Sequence, residues 1–251
     1  MLESIRHNDV LELRLARPPV NALDAGLIRA LRTAVEAAPA EGARGIIVSG
    51  RSGMFSGGLD VPSLLQLNRE EMSGVWRDFF GLCGALAASP IPTVAAITGH
   101  SPAGGAVVSI FCDYRVMARG PFRIGLNEVQ VGLVVPDIIQ AALRRLVGTY
   151  RAERLMVAGA MVDSEQALAL GMVDELTDID DVVLRAHKWL EEMLALPPRA
   201  MSETRRLARA DLSGLFADPD KLGITDFVDG WFSSESQMVL QALVAKLKAK
   251  G

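Results

Sequence analysis

Hydrophobic positions along the chain follow two rhythms. Near the start, "SIRH" and "VLELRLA" alternate apolar and polar residues on either side of Asn8-Asp9, which predicts a β-hairpin turning there. From Asp24, a helix-capping residue type, "AGLIRALRTAVEAA" carries apolar residues at helical spacing and stops at Pro39. "GIIVSG" is a short, unbroken apolar run, the pattern of a buried strand, and it leads into the glycine-rich loop "RSGMFSGGLD". Helical spacing then continues to about Ala88. A second apolar run, "PTVAAITG", leads into a second glycine-rich loop, a helix from about Gly104 and the strand "YRVMA". Buried strand, glycine loop and helix thus occur in that order twice. Later, "SEQALALGMVDELT" reads as a short helix, a glycine stop and a strand. After Asp178 the pattern is helical, broken at Pro197-Pro198 and at "ADPDKLG". This order predicts an α/β core over residues 1–195 and a C-terminal helical region over residues 196–251.

Composition narrows the class. Half of the 251 residues are hydrophobic and 22% are charged, which suits an ordered globule with a substantial core. A formal charge of −4 supplies no general attraction to nucleic acid or to an anionic membrane surface. The basic clusters are short: Arg205, Arg206 and Arg209, and a Lys246/Lys248/Lys250 tail, all expected on solvated helix faces. Cys83 and Cys112 lie in apolar helical surroundings and read as reduced core residues, and the three histidines show no ligand spacing. No signal peptide, transit peptide or apolar span of membrane length is legible, so the expectation is a soluble, cytoplasmic protein without metal.

The glycine loops carry the candidate chemistry. The first N–H groups of a helix lack intrahelical partners, and small residues let a ligand oxygen approach them. "FSGGLD" offers such a donor around Leu59 and "SPAGGA" another around Gly104. If the two converge they form an oxyanion hole; otherwise the glycines serve only tight turns. Nucleotide-phosphate fingerprints are absent, and "GHSPA" lacks the closing glycine of a nucleophile elbow, which leaves Ser101 a poor nucleophile and His100 a loop residue.

Read together and in order, "RPPVNAL", "MFSGGLD", "TGHSPAGG", "CDYRVMA" and "ERLMVAGAMVDSEQALALGMVDEL" resemble the crotonase (enoyl-CoA hydratase/isomerase) superfamily along nearly the whole chain. "SPAGGAVVSIFCDYRVMARGPFRIGLNEVQVGL" is most similar to its Δ3-Δ2-enoyl-CoA isomerase branch. The resemblance implies a ClpP/crotonase-like spiral of β-β-α units and an acyl-CoA ligand, with no further cofactor. It also implies a homotrimer or dimer of trimers held partly by the C-terminal helices. It assigns the oxyanion hole to the N–H groups of Leu59 and Gly104, with Gly58 in the same substrate-binding loop. Of the two glutamates that hydratases of the superfamily carry, one position is Val107 here and the other is Glu128.

A single carboxylate suits proton transfer between two carbons, whereas adding water favours two. The expected activity is therefore isomerisation of 3-enoyl-CoA to trans-2-enoyl-CoA in fatty-acid β-oxidation. Another crotonase-type activity (hydratase, decarboxylase or thioester hydrolase) stays open as the alternative, and an RNA-binding homologue is disfavoured by the acidic balance. Further substrate-binding candidates each have a second reading. Asn127 either bonds the ligand or shapes a turn; Asp60 either helps bind CoA or caps a helix; Met72 and Trp76 either flank the acyl tail or pack in the core. Asp113 and Arg115 read as a salt-bridged strand start.

Overall fold

The computed structural model describes residues 1–249. Ten strands are present: β1 (Leu2–His7), β2 (Val10–Leu15), β3 (Gly45–Ser49), β4 (Gly53–Met54), β5 (Thr93–Ile97), β6 (Gly99–Pro102), β7 (Tyr114–Ala118), β8 (Arg123–Gly125), β9 (Val162–Asp163) and β10 (Glu175–Thr177). The helices are α1 (Ala25–Ala37), α2 (Val61–Leu64), α3 (Arg69–Ala88), α4 (Gly104–Ile110), α5 (Asp137–Val147), α6 (Thr149–Val157), α7 (Ser164–Leu170) and α8 (Val182–Leu194). They continue as α9 (Pro198–Ala208), α10 (Ala210–Gly214), α11 (Ile224–Trp231) and α12 (Ser234–Lys248).

The hairpin, the capped helix α1 and the two long apolar strands form as the spacing predicts. Asp24 caps α1 by accepting a bond from the Leu27 N–H at 2.7 Å. One sheet has the order β1-β2-β3-β5-β7-β10, parallel except for the β1–β2 hairpin. A second, smaller sheet has the order β4-β6-β8-β9. Each of β3, β5 and β7 is followed at once by a short strand of the second sheet and then by a helical segment. The chain therefore winds as a spiral whose coils each place one strand in each sheet, the β-β-α architecture the resemblance implied.

The central strands β3, β5 and β7 are buried on both faces, which explains the unbroken apolar runs of β3 and β5, while the edge strands β1 and β10 are partly exposed. Leu11, Leu13, Leu15, Ile46, Val48 and Ile97 face the main core. Val10, Ile47, Val94, Ala96 and Val116 face α8, which closes the opposite side with Val182, Ala186 and Leu190. Glu12, a polar position in the alternating β2, is fully buried; it accepts bonds from Ser49 Oγ at 2.6 Å and Arg14 Nε at 3.1 Å and pairs with His7.

After the Pro197-Pro198 break, the C-terminal helices fold back and contribute Leu212, Phe227, Trp231 and Leu240 to the main core. One expectation fails here. Arg205 and Arg209 are not solvated: their side chains are 11% and 9% exposed and converge on Asp113. Arg205 grips that carboxylate with two bonds of 2.8 Å. Arg209 adds a 3.0 Å contact to it and donates to the Phe111 carbonyl at 2.7 Å. A helix periodicity cannot reveal a partner nearly a hundred residues away. Arg206, which pairs at the surface with Glu203, and the exposed Lys246 and Lys248 behave as predicted; Lys250 lies outside the described residues. Asp113 and Arg115 each pair elsewhere, since Arg115 bonds Asp174 at 2.7 Å.

Candidate active site

Three loops build the site, and each follows the small-sheet strand of one coil. Because the coils stack, the loops after β4, β6 and β8 lie side by side.

The first loop, residues 55–60, is braced from behind by Asn21. Its amide donates to the carbonyls of Met54 and Phe55 at 3.2 and 3.1 Å, and its Oδ1 accepts from the Arg17 N–H at 2.9 Å. Ser56 Oγ donates to the Asn21 carbonyl and accepts from the Gly58 N–H. Gly58, at φ +83, then turns the chain. Leu59 pairs with Leu23 in a parallel bridge through its neighbours: Leu23 N–H donates to Gly58 O at 2.7 Å, and Asp60 N–H to Leu23 O at 3.0 Å. That pairing leaves the Leu59 N–H directed away from the bridge, with no acceptor among the described residues.

The second loop ends at Ala103, a non-glycine residue at φ +44 and so a strained one, held by a 2.8 Å bond from its N–H to the Gly125 carbonyl. Helix α4 starts immediately after, so the Gly104 N–H has no intrahelical acceptor. A Cβ on Gly104 would sit 3.1 Å from Leu23 Cδ1 and 3.5 Å from the Leu59 nitrogen; one on Gly58 would sit 3.6 Å from the Gly104 nitrogen. The two unpaired donors thus border one small volume that the glycines keep open.

The third loop supplies Asn127 and a 3-10 turn, Glu128–Val131. The turn is pinned by the Leu133 N–H on the Glu128 carbonyl, by Gln130 on the Gly159 carbonyl, and by Ser236 of α12 on the Gly132 carbonyl. Glu128 is 8% exposed, and its Oε2 has no hydrogen-bond partner. Burial pushes its carboxyl up to about 7, against the opposing pull of a backbone N–H.

These loops wall a cavity of about 580 Å³. Arg17, Asp60 and Glu128 are the charged residues lining it among those described. Asp60 is neutralised by Arg17 at 2.5 Å, and Arg17 also bonds Asp24 at 2.9 Å. Asp60 caps α2 as well, accepting from the Ser63 N–H at 3.3 Å. Glu128 alone has no cation beside it. Val107, one turn into α4, is 1% exposed and keeps the wall there apolar.

Of the residues singled out from the sequence, Leu59, Asp60, Trp76, Gly104, Val107, Asn127 and Glu128 line this cavity. The Oδ1 of Asn127 is buried without a partner and caps nothing. Gly58 lies behind the wall rather than on it. Met72 must be corrected: it is fully buried in the core and does not reach the cavity. Helix α3 is buried on most of its circumference, so an apolar stripe there does not say which residue faces the hollow. Arg17, Asn21, Phe79 and Phe227 were missed. "RPPVNAL" carried the signal for the first two, as a cation and an amide flanking two prolines. Phe227 had no local signal.

Comparison with known proteins places these residues in context. The profile of the enoyl-CoA hydratase/isomerase family matches residues 6–250. Human mitochondrial enoyl-CoA delta isomerase 1 is 30% identical over 242 residues, 95% of this chain and 80% of that protein. A probable enoyl-CoA hydratase of Mycobacterium tuberculosis is 34% identical over 205 residues, covering 81% of this chain and 77% of the other. The crystal structure of human mitochondrial delta3-delta2-enoyl-CoA isomerase superposes with a TM-score of 0.93 at 28% identity, covering 99% of this chain and 98% of that one.

Proposed function

The chain belongs to the enoyl-CoA hydratase/isomerase family, and from that premise we propose that it shifts the double bond of a 3-enoyl-CoA thioester to the trans-2 position. One observation carries the reading. Among the described residues the cavity holds a single carboxylate with no cation beside it, Glu128, and Val107 stands at the position where the superfamily resemblance implies a hydratase's second acid.

In this mechanism the thioester oxygen accepts bonds from the N–H groups of Leu59 and Gly104. The Glu128 carboxylate removes a proton from C2, and the electron pair of the broken C–H bond delocalises through C3=C4 and onto the oxygen as a dienolate. Two preorganised donors stabilise that charge, each by about 2.7–4 kcal/mol if typical of oxyanion holes. The protonated Glu128 then delivers the same proton to C4, leaving the double bond between C2 and C3. A carboxyl with a pKa of about 7 suits both halves, being a stronger base than an ordinary glutamate and still ionised in good part at neutral pH. Val107 offers nothing to activate water and leaves the dienolate dry.

The probable hydratase among the relatives supports hydration of 2-enoyl-CoA as the second reading. One assay separates them: a 3-enoyl-CoA is supplied and formation of the conjugated thioester is followed by absorbance. Conjugation by the wild type is expected, with kcat/KM rising with pH through a midpoint near 7. Glu128→Gln should lose about a thousandfold in kcat with acyl-CoA affinity retained. Near wild-type turnover in that variant, or 3-hydroxyacyl-CoA as the sole product of any enoyl thioester, would overturn the proposal.

A further inference from the structure

Helix α3 stands between two hollows. Trp76 and Phe79 look into the 580 Å³ cavity, while Ser73, Arg77 and Phe80 border a separate open cleft of about 930 Å³. Helix α11 is divided in the same way: Phe227 faces the cavity, and its neighbours Thr225 and Asp226 face the cleft. The partition between them is a layer of rings. The Trp76 indole lies against Phe227 with centroids 3.8 Å apart, against Phe80 at 5.4 Å, and edge-on to Phe79 at 5.6 Å. Trp76 is 2% exposed and Phe227 9%. The indole N–H has no acceptor, so what this side chain contributes here is bulk rather than a hydrogen bond.

The lining of the cavity is polar at Arg17 and Asp60, the latter next in sequence to the Leu59 donor, and apolar at Val107, Trp76, Phe79 and Phe227. An acyl chain whose thioester oxygen rested on Leu59 and Gly104 would have that apolar part of the lining to pack against.

We infer that Trp76 and Phe227 form a septum that ends the acyl cavity and sets the longest acyl chain the protein accepts. The inference rests on reading the Glu128 cavity as an acyl-CoA site. Without the septum the cavity would open into the cleft behind α3, and a longer chain could thread between α3 and α11.

Saturated acyl-CoA thioesters of eight, twelve and sixteen carbons, which bind without reacting, test this by titration calorimetry on the wild type, Phe227→Ala and Trp76→Ala. Wild-type affinity should rise with length and then break. In the variants the break should move to longer chains, and the ratio of sixteen-carbon to eight-carbon affinity should rise at least about tenfold. Phe227→Leu, a smaller change at the less deeply buried member, should shift the break in the same direction by less, and it serves if either alanine variant fails to fold. An unchanged length profile in the folded variants, or wild-type affinity that climbs to sixteen carbons without a break, overturns the septum alone. Failure of all three thioesters to bind the wild type overturns the acyl-CoA reading together with it.

Discussion

Between pH 4.5 and about 7 the folded chain keeps a proton on Glu128 that the unfolded chain has already released. Stability therefore falls as pH rises through that window, and the loss stays constant above it. A shift of this size corresponds to roughly 3 kcal/mol, an appreciable part of the stability of a domain. Glu128→Gln, which carries no charge at any pH, should be more stable than the wild type near pH 8 by up to that amount. Its advantage should shrink toward pH 4. Thermal melts across this range check the point, and equal stability near pH 8 would mean that the carboxylate is solvated after all. The donors of Leu59 and Gly104 could be located from the glycine loops, whereas Glu128 was reached only through the family resemblance. Met72 and Trp76 could not be told apart, because both sit on one apolar stripe a single turn apart. Phe227, from a helix far along the chain, is what marks the cavity side of α3.

At the scale of elements, the loop that carries the free Leu59 N–H is only as well placed as the segment beneath it. Asn21 sits at φ +52, a conformation asparagine tolerates; its amide ties that segment to the loop through two bonds, to the Met54 and Phe55 carbonyls, while its Oδ1 braces the segment itself at the Arg17 N–H. Asn21→Gly, which permits the same backbone angle but removes the amide, should lower kcat by about ten- to a hundredfold, the effect expected of a donor displaced by a fraction of an ångström. KM should change much less, since the cavity walls stay in place. A rise in KM at constant kcat would assign Asn21 to substrate binding instead. The long strands and capped helices of this fold were readable from periodicity, because each spans enough residues to show one. Strands β4 and β6, of two and four residues, vanish within what reads as glycine loop, and β8, of three, falls in a stretch to which the pattern assigned no element. Their existence depends on coils stacking on one another. The second sheet, which aligns the three site loops, is therefore a property of the assembled spiral rather than of any local run.

Across the whole molecule, the C-terminal helices are joined to the spiral by buried charge as well as by apolar contact. Asp113 is the common counter-ion of Arg205 and Arg209, and replacing it with asparagine leaves two guanidinium groups poorly compensated in a dry environment. Asp113→Asn should cost about 3 kcal/mol or more, read as a lower midpoint in a urea titration. Because Trp231 and Leu240 belong to the main core, the unfolding should remain a single transition. A separate early step would show that the helices form an independent unit. This network also marks the limit of sequence reading, since two arginines on a helical pattern look solvated until their distant partner is known. The stacking of coils has a last consequence. The pair of main-chain donors comes from two windings, and the acid stands on a third. On the proposed mechanism, the groups that take up charge and the group that moves hydrogen are therefore mounted separately on one frame, and the outcome at a bound thioester could be changed by editing a single winding.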